Sequence, residues 1–79
     1  MNAIKEIRIV EKTGKFAENK DVAREIRLHE ILPVLDRNEC VVLDFKDVDA
    51  ATQSFIHALI SDLIRKKGVD VLDKLFFKN

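Results

Sequence analysis

The sequence contains no tryptophan and no tyrosine, and only one cysteine, one proline and two glycines among 79 residues. Each scarcity excludes something. With five phenylalanines as the only aromatics, there is no Tyr or Trp platform on which bases could stack. One cysteine rules out an internal disulfide and any cysteine-rich zinc site. Surplus positive charge is missing as well, because 14 Lys and Arg balance 14 Asp and Glu. Non-specific nucleic-acid binding needs that surplus to neutralise phosphates. No apolar run approaches the roughly 20 residues that cross a bilayer, and the start Met1-Asn2-Ala3-Ile4-Lys5-Glu6 carries charge where a signal peptide carries an apolar stretch. The expectation is a cytoplasmic protein that engages neither nucleic acid nor membrane. What is present suits a soluble globular chain: 47% apolar and 35% charged residues, enough for one small domain spanning 1–79.

Ile4 to Val10 alternates Ile7 and Ile9 with Lys5, Glu6 and Arg8, which predicts a half-exposed strand. Glu11 to Asn19 is polar and contains Gly14, and reads as a loop. Asp21 is the expected N-cap of a helix from Val22 to about Arg37, with its apolar stripe on Leu28, Ile31, Leu32 and Leu35. Val22 and Ile26 fall off that stripe. Pro33, lacking a backbone donor, predicts a kink or break. Cys40 to Phe45 is a short apolar run, β-branched at its centre, and predicts a strand in the middle of a sheet, covered on both faces. Lys46 to Ala51 reads as a short acidic connection. Thr52 caps a second helix ending at Lys67 before Gly68, with Phe55, Ile56, Leu59, Ile60, Leu63 and Ile64 on its apolar face. Ser54, His57, Ser61 and Arg65 share the opposite face. Leu75 to Lys78 is the last strand. The order β-α-β-α-β predicts an α/β domain.

The sharpest candidate for chemistry is the acidic run Asp44, Asp47 and Asp49, since carboxylates at the C-terminal end of a strand often hold Mg²⁺ beside a phosphate. A phosphotransferring aspartate would want a second carboxylate two residues on, where Lys46 stands, and no EF-hand glycine or distal glutamate follows. The simpler reading is a solvated turn that complements the following helix N-terminus. Thr13-Gly14-Lys15 lacks the earlier glycine and the hydroxyl of a phosphate-binding loop. Cys40 opens a strand predicted to be buried and reads as a small hydrophobe rather than a nucleophile. His29 and His57 are both helical and have neither a Cys partner nor an H-E-x-x-H frame. No catalytic residue, metal or cofactor is expected.

From about Gly14 onward the chain resembles the STAS-like domain family, a small bacterial group of unassigned function related to sulfate-transporter and anti-sigma-factor-antagonist domains. The resemblance rests on Asp21–Arg37, on Val41-Val42-Leu43-Asp44-Phe45-Lys46-Asp47-Val48, on Gln53-Ser54-Phe55, and on the closing Leu75-Phe76-Phe77-Lys78-Asn79. It implies a STAS-like sheet with helices packed on it and a non-catalytic regulatory or adaptor function. The implied partner is a protein, of the anti-sigma-factor ATPase or kinase type. The resemblance also implies a phosphorylatable serine at the start of the second helix, near Gln53 or Ser54, although the Asp and Gly that flank it in the antagonists are absent. Members continue into a further helix past the position of Asn79. The expected partner surface is therefore Asp47, Asp49, Thr52, Gln53, Ser54 and His57, with Thr52 or Ser54 open to phosphorylation. The competing reading is a small Mg²⁺-dependent phosphohydrolase or nucleotide-binding protein built on Asp44, Asp47 and Asp49. Self-association is expected too, because Leu75-Phe76-Phe77 points apolar side chains to both sides of a strand that two helices cannot cover.

Overall fold

Five strands and four α-helical segments appear in the computed structural model, which describes residues 4–79. Met1 to Ala3, part of the stretch weighed against a signal peptide, lie outside the described residues. Strand β1 runs Ile4–Arg8 and stops before the Val10 expected from alternation, because Ile9 already has helical angles. The segment read as a loop holds two short elements, helix α1 (Val10–Thr13) and strand β2 (Phe16–Ala17). Gly14 ends α1 at φ 74°, a value that side chains rarely adopt.

The next helical stretch corrects three expectations. Its cap is Asn19 rather than Asp21: the Asn19 carboxamide oxygen accepts from the Asp21 and Val22 amides at 2.8 and 3.4 Å. Asp21 instead sits in the first turn, where its charge suits the helix dipole. Pro33 does not break the helix. Backbone helicity passes from α2 (Lys20–Ile26) through a π-helical turn (Arg27–Ile31) into α3 (Leu32–Asp36). In a regular α-helix the Pro33 ring would strike the carbonyl four residues back. The wider turn, with the Leu32 amide bonded to the Arg27 carbonyl, relieves that clash. The same turn moves the buried face. Ala23 and Ile26 before it, and Ile31, Val34 and Leu35 after it, all enter the core, whereas Leu28 and Leu32 are only half-buried. The spacing of five between Ile26 and Ile31 is the inserted residue.

Strand β3 (Cys40–Asp44) is the middle of a fully parallel three-stranded sheet of order β1-β3-β5, where β5 is Leu75–Lys78. Ile7 pairs with Leu43 and Leu43 with Phe77 in register. A separate parallel pair joins β2 to β4 (Ala50–Ala51), which lies inside the segment expected to be a plain connection. Helix α4 (Gln53–Lys67) agrees with its prediction at both ends: the Thr52 hydroxyl caps it and Gly68 at φ 83° closes it. A 3₁₀ turn, Val69–Asp73, then leads to β5.

The central strand is covered on one face only, contrary to expectation. Ile7, Val41, Leu43 and Leu75, which share a face by register, are buried in the core with Phe55, Leu59 and Leu63 of α4. The alternate residues form the other face, where Ile4, Glu6 and Phe76 are exposed and Cys40 and Val42 half-buried. Cys40 is thus a partly accessible thiol rather than a core residue. The reason is topological. Both crossovers step across the sheet in one direction, β1 to β3 to β5, and crossovers of one hand put their helices on one side. Phe45, expected in the core, is half-buried and stacks on Phe77 with ring centroids 6.3 Å apart.

Candidate functional site

The turn after β3 organises the acidic residues. Asp44 is buried, 5% exposed, on the otherwise open face of the sheet. Its Oδ1 accepts from the Asn79 side-chain amide and from the Lys46 backbone N–H, each at 2.9 Å. These two bonds, the Asn79 one foremost, with the charges of Lys78 and Arg8, hold its carboxyl below the usual carboxylate range against the opposing effect of burial. The Val48 amide closes the turn onto the Phe45 carbonyl at 3.0 Å, and Asp47 occupies its left-handed position at φ 69°. The Asp47 carboxylate lies 3.6 Å from the Arg8 guanidinium. Asp49 is exposed, and its amide donates to the Lys15 carbonyl at 2.8 Å.

The Asp44 and Asp47 carboxylates therefore have separate partners, and Asp49 is tied to the turn through its backbone. Among the described residues, no three His, Cys, Asp or Glu side chains lie close enough to hold a metal ion. The topology agrees. In open parallel sheets, nucleotide and phosphate sites form where the strand order reverses direction, and the order β1-β3-β5 contains no reversal.

The first turn of α4 lies against this loop. The Thr52 amide donates to the Ala17 carbonyl at 2.9 Å, so the β2–β4 pair braces the helix start. The Thr52 hydroxyl accepts from the Phe55 amide at 3.1 Å and is committed to capping. Gln53 and Ser54 are exposed, and among the described residues neither side chain makes a hydrogen bond. One turn on, His57 Nδ1 lies 3.4 Å from the Ser61 hydroxyl. Gln53, Ser54 and His57 share a hollow of about 390 Å³ with Lys20 and Ala58. Of the residues expected at the site, the fold thus gathers Gln53, Ser54 and His57, gives Thr52 to the cap, and sets Asp47 and Asp49 on the braced turn before it.

Sequence reasoning missed the facing wall. Lys20, Arg24 and Arg27 of the other helical stretch line a groove against His57, Ser61 and Arg65 of α4. Their i, i+4, i+7 spacing is a basic stripe, a signal hidden by attention to the apolar positions beside it.

The model of a family described as a STAS-like domain of unknown function matches residues 23–79. The chain belongs to the STAS-like family. No curated protein and no solved structure matches it. The matched stretch of this STAS-like domain starts inside α2 and runs through β5, so it contains Asp44, Asp47, Asp49, Thr52, Gln53, Ser54 and His57. It starts after β1 and Lys20, later than Gly14, where the resemblance begins. No helix among the described residues is long and apolar enough to cross a membrane.

Proposed function

We propose that this STAS-like domain is a non-catalytic regulatory or adaptor module of the cytoplasm that binds a protein partner, an ATPase or kinase of the anti-sigma-factor type. Its contact surface is the turn with Asp47 and Asp49 together with Gln53, Ser54 and His57. One observation carries the reading: the polar side chains of Gln53 and Ser54 are exposed and, among the described residues, unengaged, on a helix start braced by the β2–β4 pair. Exposed polar groups on a braced element can meet a partner with little ordering cost. Ser54 is the hydroxyl open to regulation, since Thr52 is used by the cap. A phosphate there would meet the dipole of a 15-residue helix and the nearby Lys20.

The test is a photo-crosslinking residue at Gln53, with Leu72, exposed beyond the far end of α4, as the control site. In the producing cell, Gln53 should yield one defined protein adduct that Leu72 does not. No adduct at Gln53, or the same adducts at both sites, would overturn the reading. For the Mg²⁺-dependent alternative, a titration that selectively moved the Asp44, Asp47 and Asp49 resonances would restore it; no feature of their geometry favours it.

Self-association through β5 belongs to the same proposal. Phe76 and Phe77 are 48% and 53% exposed on a strand that, among the described residues, pairs only with β3. Lys74 and Lys78 turn their carbonyls toward β3, so Leu75 and Phe77 turn their backbone groups outward. Antiparallel pairing of two copies centred on Phe76 would satisfy those groups and bury the rings. Sedimentation equilibrium at micromolar concentration should then give twice the 9.1 kDa chain mass, reverting to monomer when Phe76→Ser and Phe77→Ser are combined. A monomer from the start refutes it.

A further inference from the structure

Charge is unevenly placed on a chain whose formal net charge is zero. The groove between α2 and α4, about 560 Å³ in volume, is lined by Lys20, Arg24, Arg27, Arg65 and Lys66 against only two carboxylates. One of these, Asp62, is already shared, lying 3.1 Å from the Arg27 guanidinium and 3.3 Å from that of Arg65. Lys20, Arg24 and Lys66 form no ion pair among the described residues.

Arg27 is the unusual member. It is 7% exposed, donates from Nη1 to the Ala58 carbonyl at 2.5 Å, and keeps a buried Nε with no partner among the described residues. A guanidinium so far from water is costly unless its charge is matched. Here two guanidinia draw on one carboxylate, which leaves the cluster a negative charge short. The π-helical turn starts at Arg27 itself, and such turns recur where a helix carries a functional side chain.

We infer that this groove docks an acidic segment of a protein partner, whose carboxylates complete the Arg27–Asp62–Arg65 cluster and pair with Arg24 and Lys66. This rests on the adaptor reading for the existence of a partner and adds its chemistry. Length decides for a segment over a single anion. The groove and the adjoining hollow, which share Lys20, His57 and Ala58, follow α4 from Ser54 to Arg65, a span of about 16 Å at the rise of an α-helix. One phosphate would meet only a part of it. Nucleic acid is disfavoured by the two carboxylates in the wall and the lack of Tyr and Trp for stacking.

The test titrates the isotope-labelled full chain with hexaglutamate at low salt. Inorganic phosphate, a thymidine hexanucleotide and hexalysine form parallel arms. Hexaglutamate should shift the amide resonances of Arg24, Ala58, Ser61 and Asp62 in a saturable, salt-sensitive way. Arg24→Glu combined with Lys66→Glu, both exposed, should weaken that binding by about tenfold or more while leaving the thermal midpoint in place. Should charge reversal disturb folding, Arg24→Gln with Lys66→Gln reads the same loss. The proposal falls if these amides stay unmoved, if phosphate or the hexanucleotide binds there as tightly, or if the charge variants bind hexaglutamate unchanged. An adduct at Gln53 without hexaglutamate binding would retain the adaptor and remove this groove from it. Hexaglutamate binding without the adduct would keep the groove as an acidic-segment site and overturn the contact surface at Gln53.

Discussion

The two crossovers that build this STAS-like domain face the same sheet but carry their information differently. The second is one uninterrupted helix, α4, whose Phe55, Leu59 and Leu63 follow a single 3.6-residue period and are fully buried. The first reaches the core through two helical faces joined by a π turn, so its buried residues follow no single period. A helix that packs along one face announces that face. A helix with an inserted residue announces two partial ones, and the longer stripe, Leu28 to Leu35, finds Ile31 and Leu35 but misses Ala23, Ile26 and Val34.

The sharpest way to break that comparison is in the core. Leu59→Ala and Ile26→Ala should each cost about 2–5 kcal/mol in chemical denaturation, since both sites are closed to solvent. Leu28→Ala, half-buried, should cost clearly less than Ile26→Ala. If the order reverses, the π turn and its shifted register are wrong.

Caps come next in size. Thr52→Ala and Asn19→Ala remove the acceptors for Phe55, and for Asp21 and Val22, respectively. Each should cost about 1 kcal/mol, and Asp21→Ala, outside the cap, less than Asn19→Ala. Equal losses at 19 and 21 would return the cap to Asp21.

A single-carboxylate effect is expected where the second crossover leaves β3. Because the folded state holds the Asp44 carboxyl below its ordinary value, the unfolded chain takes up the proton first as pH falls. The stabilisation is present above about pH 4, the unfolded value, and is lost as pH drops through the folded one. The thermal midpoint should therefore fall more steeply on acidification in the native chain than in Asp44→Asn, with Asn79→Ala between them. Identical slopes for the native chain and Asn79→Ala would deny the amide its leading part.

The smallest effect tests the outer side of α4. Arg65 is exposed and its ion pair with Asp62 is at the surface of the groove, so Arg65→Ala should change stability by less than about 0.5 kcal/mol. A loss comparable to that of Leu59→Ala would mean that the two faces of α4 are confused.

Much of the candidate site was legible because it sits on the regular crossover. Thr52 as cap, Gly68 as terminator and the polar row Ser54, His57, Ser61 and Arg65 follow from one helical period. The opposing wall was not, because Lys20, Arg24 and Arg27 belong to the helix whose frame the π turn disguises. Nothing local to Arg27 marks it as buried; that depends on Ala58 and Asp62, 31 and 35 positions away.

By itself, the sequence determined the α/β class, the central place of Cys40–Asp44, and the limits and apolar face of α4. Each is set by periodicity or by a capping residue, which act over neighbouring positions. Tertiary structure alone decided that β1, β3 and β5 run in one direction across the sheet, leaving Glu6, Val42 and Phe76 without a covering helix. It alone decided that Asp44 accepts from Asn79 and is not grouped with Asp47 and Asp49, and that Arg27 shares Asp62 with Arg65. Those outcomes come from strand order and helix apposition. They join residues far apart in the chain, and no local pattern encodes such a pairing.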